Sequence, residues 1–258
     1  MRAAWLAAGT VATVIALLVS TVSLWRGFAR AKMPMETTER SISFTKDKVE
    51  IKATAGQVNL IIVAGRAGEL MISRTLRWSR NRPDVTEDWD AGTSTLRLEA
   101  VCPGADQPDG PLCHADYMVS VPPETDVVAG TTSGELAVHY TFGDLRLTSV
   151  SGNVRIGDVS GALWARTGTG NIDANRLDVE KADVETGAGD VELWFANPPT
   201  SVRAIVRTRG DVDVRVPEGA YDVTAEATNI TLDIKKDRES PRKIIATARN
   251  GSVSLCCR

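Results

Sequence analysis

The sequence predicts an all-β fold built as a solenoid of short stacked coils, preceded by one N-terminal transmembrane helix. Three observations lead there. A glycine recurs every nine residues from Gly134 through Gly143, Gly152 and Gly161 to Gly170. Each is followed by two apolar residues in strict alternation: Leu136/Val138, Leu145/Leu147, Val154/Ile156, Leu163/Ala165 and Ile172/Ala174. Alternation behind a glycine reads as a short strand entered from a turn, and a fixed period means stacked repeats. The third observation is an uncharged run from Ala3 to Trp25.

The nine-residue unit holds one strand and one turn, so two units make a coil. A stronger signal recurs at the doubled period: Thr131, Ser149, Thr167 and Thr186 each stand three residues before a glycine. Looser copies follow at Gly210, at Thr228 (in a glycine's place) and at Gly251, giving coils of about 18–22 residues. Extra residues fall near Pro198, Pro199 and Pro241, where loops are expected. One coil cannot bury its own apolar residues; stacking coils at strand spacing builds a continuous core. The phase of alternation puts Val154, Ile156, Leu163, Ile172, Ala174, Val191, Leu193, Val212 and Val214 inside. It turns Arg155, Asp173, Glu192 and Asp213 outward.

In chain order, residues 1–32 read as a short cytoplasmic tip and membrane anchor, and 33–40 as a polar linker. A degenerate N-terminal β-repeat part with a cysteine loop follows over 41–130, and regular repeats over 131–258. The 23 residues Ala3–Trp25 would rise about 34 Å as a helix, enough to cross a bilayer core. Trp5 and Trp25 mark its ends. Ala29-Arg30-Ala31 also offers a small-x-small cleavage site, which leaves a cleaved signal as the alternative. Strands are expected at Ser41–Phe44, Val49–Thr54, Val58–Val63 and Leu70–Leu76. The stretches after Gly56 and Gly68 share the main repeat's pattern, while Ser79–Gly92 reads as a polar loop. Leu96–Val101 and Tyr117–Val121 flank a Pro- and Gly-rich loop with Cys102 and Cys113 at its feet, a setting suited to a disulfide. That bond would imply an oxidising compartment and hence export. Arg26, Arg30 and Lys32 argue for the opposite orientation. We expect the repeat domain outside the cytoplasm, on a single-pass anchor in the cell membrane.

The net charge of −3 offers no basic field for nucleic acid. No metal motif or nucleophile motif is present, and the single repeat glycine lacks the Asp pattern of calcium β-rolls. No catalytic, cofactor or metal residue is assigned, and no enzymatic role is expected. Stacking would align Asp173, Glu192 and Asp213 in one acidic row beside Arg155, and would set Trp164 and Trp194 on outward positions. These five, Trp164, Trp194, Asp173, Glu192 and Asp213, are the candidates for surface contact, against the plainer reading of a solvated face that blocks edge association. Cys256-Cys257 reads as a small apolar pair at a fraying end.

The single apolar span, the VNLIIV strand, the segment from Cys102 to Pro122 and the T-x-S-G-type units at Thr131, Ser149, Thr167 and Thr186 occur together in order. With these the chain resembles a bacterial, and especially actinobacterial, family of β-strand-repeat domains of unknown function labelled "putative adhesin". The resemblance covers about residues 41–255. It implies a right-handed β-helix-like solenoid on the cell envelope, with no catalytic residue and no cofactor. Thr228 and Cys256-Cys257 depart from the pattern. The function expected is a non-catalytic binding or structural envelope module, with an envelope protein or glycan as partner. The alternatives are a cytoplasm-facing β-helical scaffold assembling end to end and a carbohydrate-active β-helix enzyme.

Overall fold

The computed structural model describes residues 13, 15–22, 25, 33–56, 58–104, 110 and 112–257. The chain divides into two units, Met1–Pro34 and Met35–Arg258. In the first, the described residues are helical up to Trp25 apart from Met33 and Pro34. The Ser20 and Thr21 hydroxyls donate to the carbonyls of Ala16 and Leu17. Most of the expected span Ala3–Trp25 lies outside the described residues. Among the described residues no helix is long and apolar enough to cross a membrane.

The second unit is all strand. It runs β1 (Met35–Ser43), β2 (Lys48–Ala55), β3 (Val58–Ala64), β4 (Glu69–Trp78), β5 (Asp84–Asp90), β6 (Thr95–Val101) and β7 (Cys113–Val121). The regular region follows as β8 (Asp126–Ser133), β9 (Leu136–His139), β10 (Leu145–Ser151), β11 (Val154–Gly157), β12 (Leu163–Thr169), β13 (Ile172–Leu177), β14 (Lys181–Ala188), β15 (Val191–Phe195), β16 (Ser201–Arg209) and β17 (Val212–Val216). The chain closes with β18 (Ala220–Asp233), β19 (Lys235–Lys236) and β20 (Lys243–Cys257).

These strands form two ladders. Ladder A is ordered β5-β6-β2-β8-β10-β12-β14-β16-β20-β18. Ladder B is ordered β1-β4-β7-β3-β9-β11-β13-β15-β17-β20-β18. The long strands β18 and β20 pass through the corner and belong to both. From β2 and β3 onward all pairing is parallel, and partners such as Leu145 and Leu163 stand one coil apart. The inward residues of both ladders meet in a single aliphatic core. All nine interior residues expected from the alternation are buried, Ile156 and Val154 at 0 % exposure.

The repeat motif is explained at the first corner. A Cβ on Gly170 would stand 2.3 Å from the carbonyl oxygen of Gly152 in the preceding coil, and its φ is +134°. Only glycine meets both conditions. The residue three positions earlier is a buried hydroxyl: Thr167 Oγ1 donates to Gly152 O at 3.0 Å and Thr186 Oγ1 to Gly170 O at 2.9 Å. The residue after the glycine caps the next coil. The side-chain oxygens of Asn153, Asn171, Asp190 and Asp211 accept from the backbone N–H of Asn171, Asp190, Asp211 and Ser252. The Thr, Gly and Asx positions are thus one device that satisfies the corner's polar groups.

Four features differ from the sequence reading. Residues 33–40, read as a linker, contain the start of β1, an edge strand whose polar residues hid it. The polar loop Ser79–Gly92 contains β5, whose alternation Val85, Glu87, Trp89 faces inward; Trp89 meets Phe44 edge-on at 6.1 Å. The stretch after Gly68 is not a repeat coil: β4 pairs antiparallel with β1 and β7 and closes that end. Finally, the coils do not stack in chain order. Strands β2 and β3 lie between β6/β7 and β8/β9, and β20 lies between β16/β17 and β18. Gly251 therefore stacks on Gly210, while Thr228 sits on the outermost coil.

Candidate binding face

The outward row along ladder A reads Val128, Arg146, Trp164, Asp183, Arg203, each the register partner of the next. Beside it run Arg166 and Glu185, also register partners. Strand alternation turns all of these away from the core. Arg146 lies over the Trp164 ring at 3.8 Å and Arg166 at 4.6 Å. Such stacking fixes a guanidinium without using its N–H donors.

Asp183 and Glu185 on this face are taken up by arginine. Arg166 Nη2 stands 2.8 Å from Asp183 Oδ2, and Arg203 Nη1 stands 2.9 Å from Asp183 Oδ1 and 3.3 Å from Glu185 Oε2. Arg207 closes on Glu185 through its Nε. Burial works against the charged forms of Asp183 and Glu185. The arginines outweigh it and hold both carboxyls below the usual range: Arg166 and Arg203 for Asp183, and Arg207, Arg166 and Arg203 for Glu185. Arg146 makes no ion pair among the described residues. A groove of ≈ 530 Å³ runs along this face, lined by Trp164, Arg146, Lys48, Lys181, Asp183 and Arg203 among others.

Ladder B carries the other candidates. Register partners Arg155, Asp173, Glu192 and Asp213 form the expected row. Arg155, however, pairs with Glu135 at 2.8 Å, and Asp213 with Arg215 at 2.9 Å. Arg215 also covers the Trp194 ring at 4.3 Å. Trp194 is exposed and lies on ladder B, whereas Trp164 is half-buried and lies on ladder A. The structure brings Trp194 and the acidic row together and leaves Trp164 apart, with a different set of neighbours. Sequence reasoning missed Arg146 and Arg166, which stack on Trp164, and Asp183, its register partner. The signal was the coil spacing itself, since Arg146 and Trp164 stand eighteen residues apart.

Cys102 and Cys113 form a disulfide with Cα atoms 6.2 Å apart, while Cys256 and Cys257 are free. Burial first, then Asp213, push the Cys256 thiol up, which disfavours a reactive thiolate. Among the described residues no group of His, Cys, Asp or Glu could hold a metal ion.

A family model described as Toastrack DUF4097 matches residues 35–256. No curated protein matches the chain. Similar solved structures include a putative adhesin from Bacteroides fragilis NCTC 9343, at 13% identity and TM-score 0.47, covering 85% of this chain and 97% of that one. A putative lipid binding protein from Parabacteroides distasonis ATCC 8503 is 12% identical at TM-score 0.47, covering 84% of this chain and 96% of that one. A putative adhesin from the same organism is 11% identical at TM-score 0.44, covering 84% and 97%.

Proposed function

Since the chain belongs to the Toastrack DUF4097 family, we propose that it is a membrane-anchored binding module of the cell envelope. In this reading the solenoid winds right-handed, as parallel crossovers do. It stands outside the cytoplasm and binds an envelope glycan or protein without catalysis. The observation that carries the reading is the face around Trp164. Arg146 lies on the ring with its donors unspent, while Asp183 and Glu185 are locked in ion pairs. A glycosidase needs one carboxyl held protonated near neutral pH; here Asp183 and Glu185 are both held ionised. The face suits holding a ligand better than moving a proton.

Support for the outside location is the Cys102–Cys113 bond, because cytoplasmic thiols are kept reduced. The apolar run Ala3–Trp25 supports the anchor. The flanking Arg26, Arg30 and Lys32 favour the reverse orientation, but that bias is weaker than a bond that forms only in an oxidising compartment. The test is retention of the full-length chain on isolated cell-envelope polysaccharide. The Arg146→Ala/Trp164→Ala variant is expected to lose at least tenfold. If that variant binds normally and Asp173→Asn/Glu192→Gln does not, the binding face is ladder B.

A further inference from the structure

The indole of Trp164 is already occupied from within the fold. Arg146 lies over it at 3.8 Å and Arg166 at 4.6 Å, and the residue is half-buried. A sugar finds little open ring to stack on, so recognition on this face falls to the edges of the guanidinium groups. The two arginines differ there. Arg166 spends its donors inside the fold: Nη1 donates to the carbonyls of Ala165 and Asp183, and Nη2 stands 2.8 Å from Asp183 Oδ2. Arg146 is exposed, and its side chain makes no hydrogen bond or ion pair among the described residues. Stacking fixes its plane and leaves its N–H donors unused.

The groove beside it is lined by four bases, Lys48, Arg146, Lys181 and Arg203, and by three acids, Asp126, Asp144 and Asp183. Asp183 is closed by Arg166 and Arg203. Lys48 and Lys181 stand in no ion pair among the described residues, although Lys48 is the register partner of Asp126. Asp126 and Asp144 cap the turn into ladder A. The Oδ1 of each accepts a backbone N–H one coil on, from Asp144 at 2.8 Å and from Ala162 at 2.7 Å. The second oxygen of each accepts no bond among the described residues. Around the groove, Glu50 pairs with Lys52 at 2.9 Å and Arg207 with Glu185. Lys46 and Asp47 lie at one margin, and Asp178 and Glu180 lie beside Lys181 at the other. Acids and bases thus balance over the wider face. No long-range field selects the ligand; the groups left unpaired within the groove do.

Those groups are a stacked guanidinium, two lysines and two spare carboxylate oxygens. An arginine fork matches a carboxylate or a phosphate through two parallel bonds. A spare carboxylate oxygen accepts from a hydroxyl. We infer that the ligand of this groove is an acidic polysaccharide, whose carboxylate or phosphate is gripped by Arg146 and whose hydroxyls meet Asp126 and Asp144. A neutral glycan would leave the fork of Arg146 unanswered. An acidic peptide would answer the fork and bring few hydroxyls to the two carboxylates. This assignment rests on the binding role of the Trp164 face and adds its ligand class and its specificity residue.

The test uses the full-length chain in neutral detergent. The probes are immobilised dextran, carboxymethyl-dextran and dextran phosphate, which share one neutral backbone, and polyglutamate. Biolayer interferometry should show an acidic dextran bound about tenfold tighter than dextran or polyglutamate. The tighter of the two acidic dextrans identifies the anion as carboxylate or phosphate. Arg146→Lys keeps the charge and loses the fork. It should bind the acidic dextran about fivefold more weakly, leave dextran unmoved and melt as wild type does. Arg40→Ala, which removes an exposed arginine from β1, should bind as wild type does. Acidic dextrans bound no tighter than dextran, or wild-type binding by Arg146→Lys, would overturn the inference, while retention on envelope polysaccharide would keep the glycan role standing. Polyglutamate bound as tightly as the acidic dextrans would make the occupant an acidic protein instead. Loss of binding to all four probes and to envelope polysaccharide alike would bring down the role of the face itself.

Discussion

Ile156 and Arg155 are neighbours in sequence and opposites in physics. Ile156 is fully buried, and Arg155 extends into solvent with Glu135 as its partner. Ile156→Asp would place an unpaired carboxylate in a dry core, at a cost of several kcal/mol. Arg155→Ser would lose one exposed ion pair, worth under about 1 kcal/mol. Chemical denaturation should separate the two variants clearly; equal tolerance would mean the register is wrong. This contrast was legible from alternation alone, because in a strand the face of a residue follows from its parity. Glu185 was not legible. Its place on the outward face was, but its partners Arg203 and Arg207 come from the next coil at offsets altered by the proline insertion. Those arginines hold its carboxyl below the usual range. Its contribution is therefore present above the unfolded carboxylate pKa of about 4.3 and is lost as pH falls through the lower folded value. Glu185→Gln should be less stable than wild type by about 2 kcal/mol near neutrality. The gap should narrow as pH falls below the unfolded carboxylate value, read from urea midpoints at several pH values. A gap that stays constant would show that the ion cluster contributes nothing through charge.

At the scale of elements, the interior strands announced themselves and the edge strands did not. Strands β10 to β17 carry two buried neighbours each, so their sequences must alternate. By contrast β1 and β5 have one neighbour, spend polar residues on their free side, and read as linker and loop. The same cause hid the order of the coils. Periodicity reports the phase in which a strand pairs, and every coil has that phase, so it cannot report which coil lies next. The insertion of β20 between β16/β17 and β18 follows from no local signal. It has a consequence that can be measured. Over Asp222–Asp233, strand β18 is hydrogen-bonded into the sheet through β20 alone among the described residues. A chain ending at Pro241 should lose amide protection over β18 as well as the deleted strand, while β8 to β13 keep theirs in hydrogen exchange. Retained protection of β18 would mean that it can dock directly on β16 and β17.

For the whole molecule, the proposed anchor turns on which side of a membrane the solenoid would occupy. Ladder B spans from β1 to β18 at about 4.8 Å per strand, on the order of 45–50 Å. Residue Met35 lies at one end of that ladder, in β1, and β18 at the other. The disulfide supports the proposed outside location chemically. Cys102 and Cys113 close the loop between β6 and β7, and their bond stabilises by roughly 2–3 kcal/mol for a loop of this size. That gain exists only where thiols are oxidised, whereas the positive residues after the apolar run act only on insertion and can be overridden. Alkaline phosphatase fused after Arg258 should consequently be active in cells, since that enzyme also requires its disulfides. Non-reducing peptide maps of the same protein should show Cys102 and Cys113 in one linked pair, with Cys256 and Cys257 open to alkylation. An inactive fusion together with free thiols at both loop positions would place the domain in the cytoplasm, and the envelope role with it would fall.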